Sequence, residues 1–326
     1  MVASKLITLN AIPMVRRLEY LETFLQGTRK GISRRELMES LGERKKAFEI
    51  EKDLSLGRGR PRRKDITRAD RLIDHCVKLA RNMQFVDKVG LRYRLLEAGR
   101  IYLDSAETER KKIFAEVFSK AYPHLSAVVL ALALLKEEEE VVLPLQNKSE
   151  FKPEVEKYGL SMGQMCFDTI RDIGTRLGLM NWYVTGVGLE RRQHVYLTCE
   201  ITRETPESYL VKIRSLEGWL FAVPFEVERN RFRDCLWETY LSLADRIPGS
   251  PLFYSSVREK VCGLLKIRDD QFDNEVMRMV KWDEMLRVIW SEGVLQYQKD
   301  SASMLKSLPP KNEWGRYVVY LKMVRR

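Results

Sequence analysis

"FVDKVGLRYRLLEAGRIYL" (residues 85–103) decides how the first third of this chain is read. Two β-prone pieces, "QFV" and "LRYRL", flank a turn over Asp87 to Gly90, so the spacing predicts a hairpin that runs into a helix. Just before it, "ITRADRLIDHCVKLARNM" (66–83) places Ile66, Leu72, Ile73, Val77, Leu79 and Ala80 mostly on one helical face, with Arg68, Arg71, Lys78 and Arg81 elsewhere on its surface. Further upstream, Val15, Leu18, Leu21 and Leu25 recur at helical spacing, with Gly27 as the expected stop. Ser33 followed three residues later by Glu36 is a capping box that opens another short helix, with Gly42 as its expected C-cap. The order is therefore three helices and then a hairpin.

The junction Tyr93-Arg94-Leu95-Leu96-Glu97-Ala98-Gly99-Arg100 resembles that of prokaryotic winged-helix DNA-binding proteins, in which an aromatic-x-Leu strand end precedes a Thr and a Glu-x-Gly helix. Leu96 stands where that family has the Thr, and the likeness covers about the first 105 residues. It implies a helix-turn-helix whose second helix enters the major groove while the hairpin reaches the backbone or the neighbouring minor groove. On that reading Thr67, Arg68, Arg71 and Lys78 contact phosphates or guanine edges, and Lys88, Arg92 and Arg94 belong to the wing.

Charge singles out the same third of the chain. The whole sequence carries 57 basic and 46 acidic residues, net +11. Residues 1–105 hold 24 Lys and Arg against 14 Asp and Glu, net +10, which leaves 33 against 32, net +1, for the remainder. Such asymmetry points to a polyanion-binding domain joined to domains with another task. Its densest part is "GRGRPRRKD" (57–65), which cannot bury its cations without partners and must face solvent or a polyanion. Arg58-Gly59-Arg60-Pro61 resembles the AT-hook. Glycine lets the backbone approach a groove floor, proline holds an extended course, and arginines enter the negative, narrow minor groove of A·T-rich DNA. Arg62, Arg63 and Lys64, with Arg44, Lys45 and Lys46 nearby, are candidates for the phosphate contacts that dominate affinity.

Downstream, the arrangement repeats. Helices are expected at about 108–120 and 124–138, then at 152–158 and 161–177, followed by two strands in 181–201 around a turn at 186–192. Arg171 and Arg176 on the helix and Arg191, Arg192 and His194 in the hairpin give this second unit its own candidate nucleic-acid contacts. Helix, turn and helix over 255–282, then strand-like 286–292 and 316–324, suggest a third copy, with 202–250 as its helical lead-in. The acidic "RDDQFDNE" at the start of its second helix suits protein contact or homodimerisation better than a DNA groove. The expected fold class is thus mainly α with short β-hairpins, in tandem winged-helix units. The domains are read as 1–106, 107–203 and 204–326.

Several function classes find no support. Phosphate-loop, dinucleotide-binding, zincin and serine-hydrolase motifs are all missing, and Glu150 and Lys152 form an isolated Glu-x-Lys without a partner Asp. Cys76, Cys166, Cys199, Cys235 and Cys262 are odd in number and contain no Cys-x-x-Cys pair, as reduced cytosolic thiols would be. No metal, cofactor or catalytic residue is expected. The longest apolar run, at 125–135, falls short of the roughly 20 residues that span a bilayer and reads as a buried core helix. The amino terminus does not read as a secretion signal, so a cytoplasmic, nucleoid-associated protein is expected. The expectation is a non-enzymatic, site-specific double-stranded DNA-binding factor or regulator, with RNA as a second candidate ligand. The alternative is a non-catalytic, DNA- or RNA-binding or scaffolding subunit of a replication, chromosome-handling or defence complex.

Overall fold

The computed structural model describes residues 13, 15, 18–43, 69–90, 92–134, 141–144, 160, 164–185, 192–282, 286–290, 310, 312 and 318–324. The fold is mainly α-helical with small antiparallel sheets. The described strands form one two-stranded and three three-stranded sheets.

Helix α1 (Leu18–Arg29) buries Leu21, Phe24 and Leu25. It does not stop at Gly27, as the sequence suggested. Gly27 lies inside the helix against Ile32 and Leu37, and the chain turns at Gly31, whose φ of +68° suits glycine. Helix α2 is described over 34–43 and so passes through Gly42, the expected cap. The expected capping box opens it: the Ser33 amide donates to Glu36 Oε2 (2.7 Å) and the Glu36 amide to Ser33 Oγ (3.3 Å). Helix α3 (Ala69–Asn82) buries Ile73, Cys76, Leu79 and Ala80 against α1. Strands β1 (Val86–Val89) and β2 (Arg92–Leu95) then form the hairpin, in a register that pairs Val86 with Leu95 and Val89 with Arg92.

The junction after β2 explains its glycine. Helix α4 (Glu97–Asp104) starts after Leu96, which has extended backbone and offers no side-chain cap. A Cβ on Gly99 would lie 2.5 Å from the carbonyl oxygen of Phe85, so only glycine lets α4 sit on the hairpin base. Gly99→Ala is therefore expected to destabilise the fold by roughly 2 kcal/mol, because overpacking outweighs the better helix propensity of alanine. Urea denaturation monitored by circular dichroism would measure it.

From here stacked and tilted rings carry the core onward. Phe85 lies 5.0 Å from Tyr102, Tyr102 6.5 Å from Phe114, Phe114 5.3 Å from Phe118 and Phe118 4.9 Å from Tyr122. The last three belong to or follow α5 (Glu107–Ala121). Each ring buried contributes about 1.5–3 kcal/mol, and their continuity carries one packed cluster from Val15 to Ala222, across position 106. Helix α6 (His124–Ala133) is buried along most of its length, as its largely apolar run predicted. Helix α7 (Gln164–Arg176) precedes β4 (Met180–Thr185) and β5 (Arg192–Leu197), close to where strands were expected. The expected helix at 152–158 lies outside the described residues. A strand that the sequence reading did not expect, β3 (Val141–Pro144), completes the order β3-β5-β4.

The expectation of a helical lead-in from 202 to 250 is wrong for its first half. Strands β6 (Cys199–Thr202), β7 (Val211–Ser215) and β8 (Gly218–Pro224) form a sheet in the order β6-β8-β7. The period of two in β7, with Val211, Ile213 and Ser215 buried and Lys212 and Arg214 outward, is the strand signal that decides it. Helix α8 (Arg229–Leu243) follows.

A second core runs from Phe232 to Met323. It holds β9 (Leu252–Phe253), α9 (Tyr254–Leu265), α10 (Asp269–Trp282), β10 (Leu286–Trp290) and β11 (Val318–Met323), with β11 between the other two strands. The acidic start of α10 is turned to internal use. Fully buried Arg258 donates to Asp273 Oδ2 at 3.0 Å, Tyr254 donates to Asp273 Oδ1 at 2.8 Å, and Asn181 of β4 donates to Asp269 Oδ1 at 2.9 Å. Asp269 thereby fastens the second hairpin to the last core. Among the described residues, no helix is long and apolar enough to cross a membrane.

Candidate nucleic-acid interface

The hairpin β1–β2 divides its cations between two faces. Successive side chains alternate, so Arg92 and Arg94 share a face with Asp87 and Val89, whereas Lys88 shares the other with Tyr93. Tyr93 packs edge-on against Phe24 of α1 at 5.8 Å and so fixes which way β2 is turned. Arg92 and Arg94 are exposed and have no acidic partner among the described residues, although Asp87 lies across from Arg94 in the register.

Those two arginines line a cleft of about 660 Å³ with Thr28, Arg29, Tyr93 and Arg100. Arg29 closes the last turn of α1 and pairs with Asp104 at 2.6 Å, both side chains being more than half exposed. Arg100 stands 3.9 Å from Glu97. Exposed pairs of this kind contribute little, so both guanidiniums can exchange their carboxylates for another anion at small cost. Four arginines from three elements thus converge on one concavity. Sequence reasoning named Arg92 and Arg94 but missed Arg29 and Arg100. Nothing in a linear reading brings position 29 beside 92; the Phe24–Tyr93 contact does.

On the α3 side the cations are fewer. Lys78 is half-buried and engaged within the fold, and Arg81 is exposed in the last turn. Asp74 on the same helix holds Arg34 at 2.7 Å and raises the basicity of that guanidinium. Burial pushes the Cys76 thiol well above its ordinary range, which keeps it neutral and unreactive beneath the helix. Arg71 lies on α3. Arg44, Lys45, Lys46, Arg58, Gly59, Arg60, Pro61, Arg62, Arg63, Lys64, Thr67, Arg68 and Arg191 lie outside the described residues, as do Glu150 and Lys152.

In the second unit the structure corrects one expected contact. Arg171 is buried, its side chain 7% exposed, between Asp168 (3.1 Å) and Asp172, with its guanidinium 3.9 Å from the centre of the Trp182 ring. A guanidinium already paired twice and stacked once serves packing, because removing it would strand two carboxylates. Arg176 turns back to Glu19 of α1 at 3.2 Å and joins α7 to the first unit. Arg192 remains exposed at the hairpin rim, while His194 stacks on Tyr183 at 4.4 Å and meets Thr185 Oγ1 at 2.8 Å.

No family model matches this chain, and no curated protein or solved structure matches it.

Proposed function

We propose that the chain binds double-stranded DNA through its first 105 residues, which act as a winged helix with α3 in the major groove and the β1–β2 hairpin as the wing. The observation that carries this reading is the convergence of Arg29, Arg92, Arg94 and Arg100 on one cleft, with the two wing arginines unpaired among the described residues. Four guanidiniums around a concavity suit a run of phosphates, since each can donate in pairs to phosphate oxygens. The net charge of +10 over residues 1–105 supports the same ligand class and adds long-range attraction. Base recognition falls to α3, and the basic run 57–65 supplies further phosphate contacts or a minor-groove arm.

The basic run is tested separately from the wing. Arg58→Ala combined with Arg60→Ala is expected to weaken binding to a random-sequence duplex and to lower the salt dependence by about 0.9 for each phosphate no longer neutralised. If A·T-rich duplex loses more affinity than G·C-rich duplex in that variant, the run enters the minor groove. Unchanged binding in fluorescence anisotropy takes the run out of the interface.

A further inference from the structure

The outer face of the β6-β8-β7 sheet carries a group of side chains with no part in the duplex-binding surface. Trp219 and Phe221 lie two apart on β8 and therefore share a face, on which Trp219 is opposite Arg214 and Phe221 opposite Lys212 of β7. Phe221 itself is buried, and half-buried Tyr209 covers it edge-on at 5.3 Å, so the rings that reach the surface are Trp219 and Tyr209.

Helix α5 borders this face. The Arg214 amide at the edge of β7 donates to Ser119 Oγ at 2.7 Å, so the helix closes the strand edge that would otherwise stand open. Lys112, Glu116 and Lys120, four residues apart, form a stripe along the border. Lys112 Nζ lies 5.2 Å from the centre of the Tyr209 ring, with Glu109 at 3.9 Å on its own helix. Around Trp219 stand Lys120 at 5.2 Å, Lys212 at 4.9 Å and Arg214 at 5.4 Å. Glu116 accepts from Lys120 at 2.8 Å and lies 3.0 Å from Lys212. Burial alone would raise its carboxyl, but the two lysines hold it below the usual carboxylate range, so it stays ionised. The neighbouring Glu217 is itself paired with Arg203.

Lys112, Lys120, Lys212 and Arg214 thus border the Trp219 and Tyr209 rings with two carboxylates, Glu109 and Glu116, among them, which leaves an excess of positive charge that entering anions balance. Duplex DNA keeps its bases stacked on one another and offers no free ring face to Trp219. A single strand offers both the rings and the phosphates, at the spacing of neighbouring side chains. A cation over the half-buried Trp219 indole gains less than a stacked base does, so a base displaces it and the freed ammonium or guanidinium takes the adjacent phosphate. We infer that this face, centred on Trp219, is a binding surface for single-stranded nucleic acid, separate from the duplex-binding surface proposed for the first unit.

The test uses the full chain and a fluorescein-labelled twelve-residue oligothymidylate. Trp219→Ala is expected to weaken binding roughly five- to hundredfold, and Trp219→Phe to restore most of it. Lys212→Gln with Arg214→Gln should lower the salt dependence by about 0.7 for each phosphate no longer neutralised. An abasic oligomer of the same length should bind the unmodified protein as weakly as the thymidylate binds Trp219→Ala. Duplex affinity should not move in any of these variants, which separates this surface from the cleft at the first hairpin. Oligothymidylate binding indifferent to both sets of substitutions would overturn the inference. So would polyglutamate displacing the oligomer as readily as unlabelled thymidylate does, since the face would then recognise acidic protein.

Discussion

Replacing Asp273 by alanine is expected to lower the free energy of unfolding by roughly 3–5 kcal/mol, a loss large enough to unfold a marginal domain at physiological temperature. Arg258 is fully buried, and its guanidinium is held by Asp273 at 3.0 and 3.4 Å, with Asp269 only at 3.9 Å. Removing Asp273 also leaves the Tyr254 hydroxyl without its acceptor. The cost arises from stranding a charge in a place that water cannot reach, and it exceeds what the intact pair contributes over an apolar substitute. Arg258→Leu made together with Asp273→Leu should therefore cost much less than Asp273→Ala alone. Guanidinium denaturation of the three proteins, followed by tryptophan fluorescence, measures the difference. A loss below about 1 kcal/mol for Asp273→Ala would mean that water reaches the pair.

Exchanging both hairpin arginines, Arg92→Ala with Arg94→Ala, is expected on the proposed function to weaken duplex binding by on the order of 100-fold at fixed salt. Two charge-assisted hydrogen bonds at the low end of their usual range, about 1.5 kcal/mol each, add to that factor. Stability should change little, since both side chains are exposed and have no partner to strand among the described residues. Anisotropy titrations on a random-sequence duplex, with thermal midpoints recorded alongside, separate the two effects. An equal loss of affinity from Lys88→Ala would contradict the geometry, because Lys88 stands on the opposite face of the hairpin.

What is legible in the sequence depends on the range over which each signal acts. Local chemistry is readable: the Ser33–Glu36 capping box, the apolar face of α3 and the buried run of α6 rest on neighbours within a few residues, and the first hairpin falls where it is expected, although Asp87, Lys88 and Val89 belong to β1 and not to the turn. The second and third hairpins fall close to their expected places for the same reason. What fails needs tertiary knowledge. Gly27 reads as a helix stop until Leu37 packs against it, and Arg171 reads as a surface cation until Asp168, Asp172 and Trp182 close around it. The acidic start of α10 reads as a surface for protein contact or homodimerisation, whereas its Asp269 and Asp273 neutralise Arg258 and fasten Asn181 within the chain. The β6-β8-β7 sheet escapes a linear reading because β6 pairs not with the next strand in the chain, β7, but with β8 beyond it, a choice that only the packed fold makes. The site is legible to the same degree. Arg92 and Arg94 follow from the hairpin alone, but Arg29 and Arg100 join them only through folding.

Engagement of duplex phosphates by the first third of the chain is best tested through the salt dependence of binding. The constant to measure is that of the unmodified protein for a random-sequence duplex, between about 50 and 200 mM salt, with a single-stranded RNA of equal length as comparison. Four phosphate contacts at the arginine cleft predict a logarithmic slope of about −3.6, steeper if the basic run 57–65 joins them, and tighter binding to duplex than to RNA. No binding at physiological salt, or a slope near zero, would contradict it.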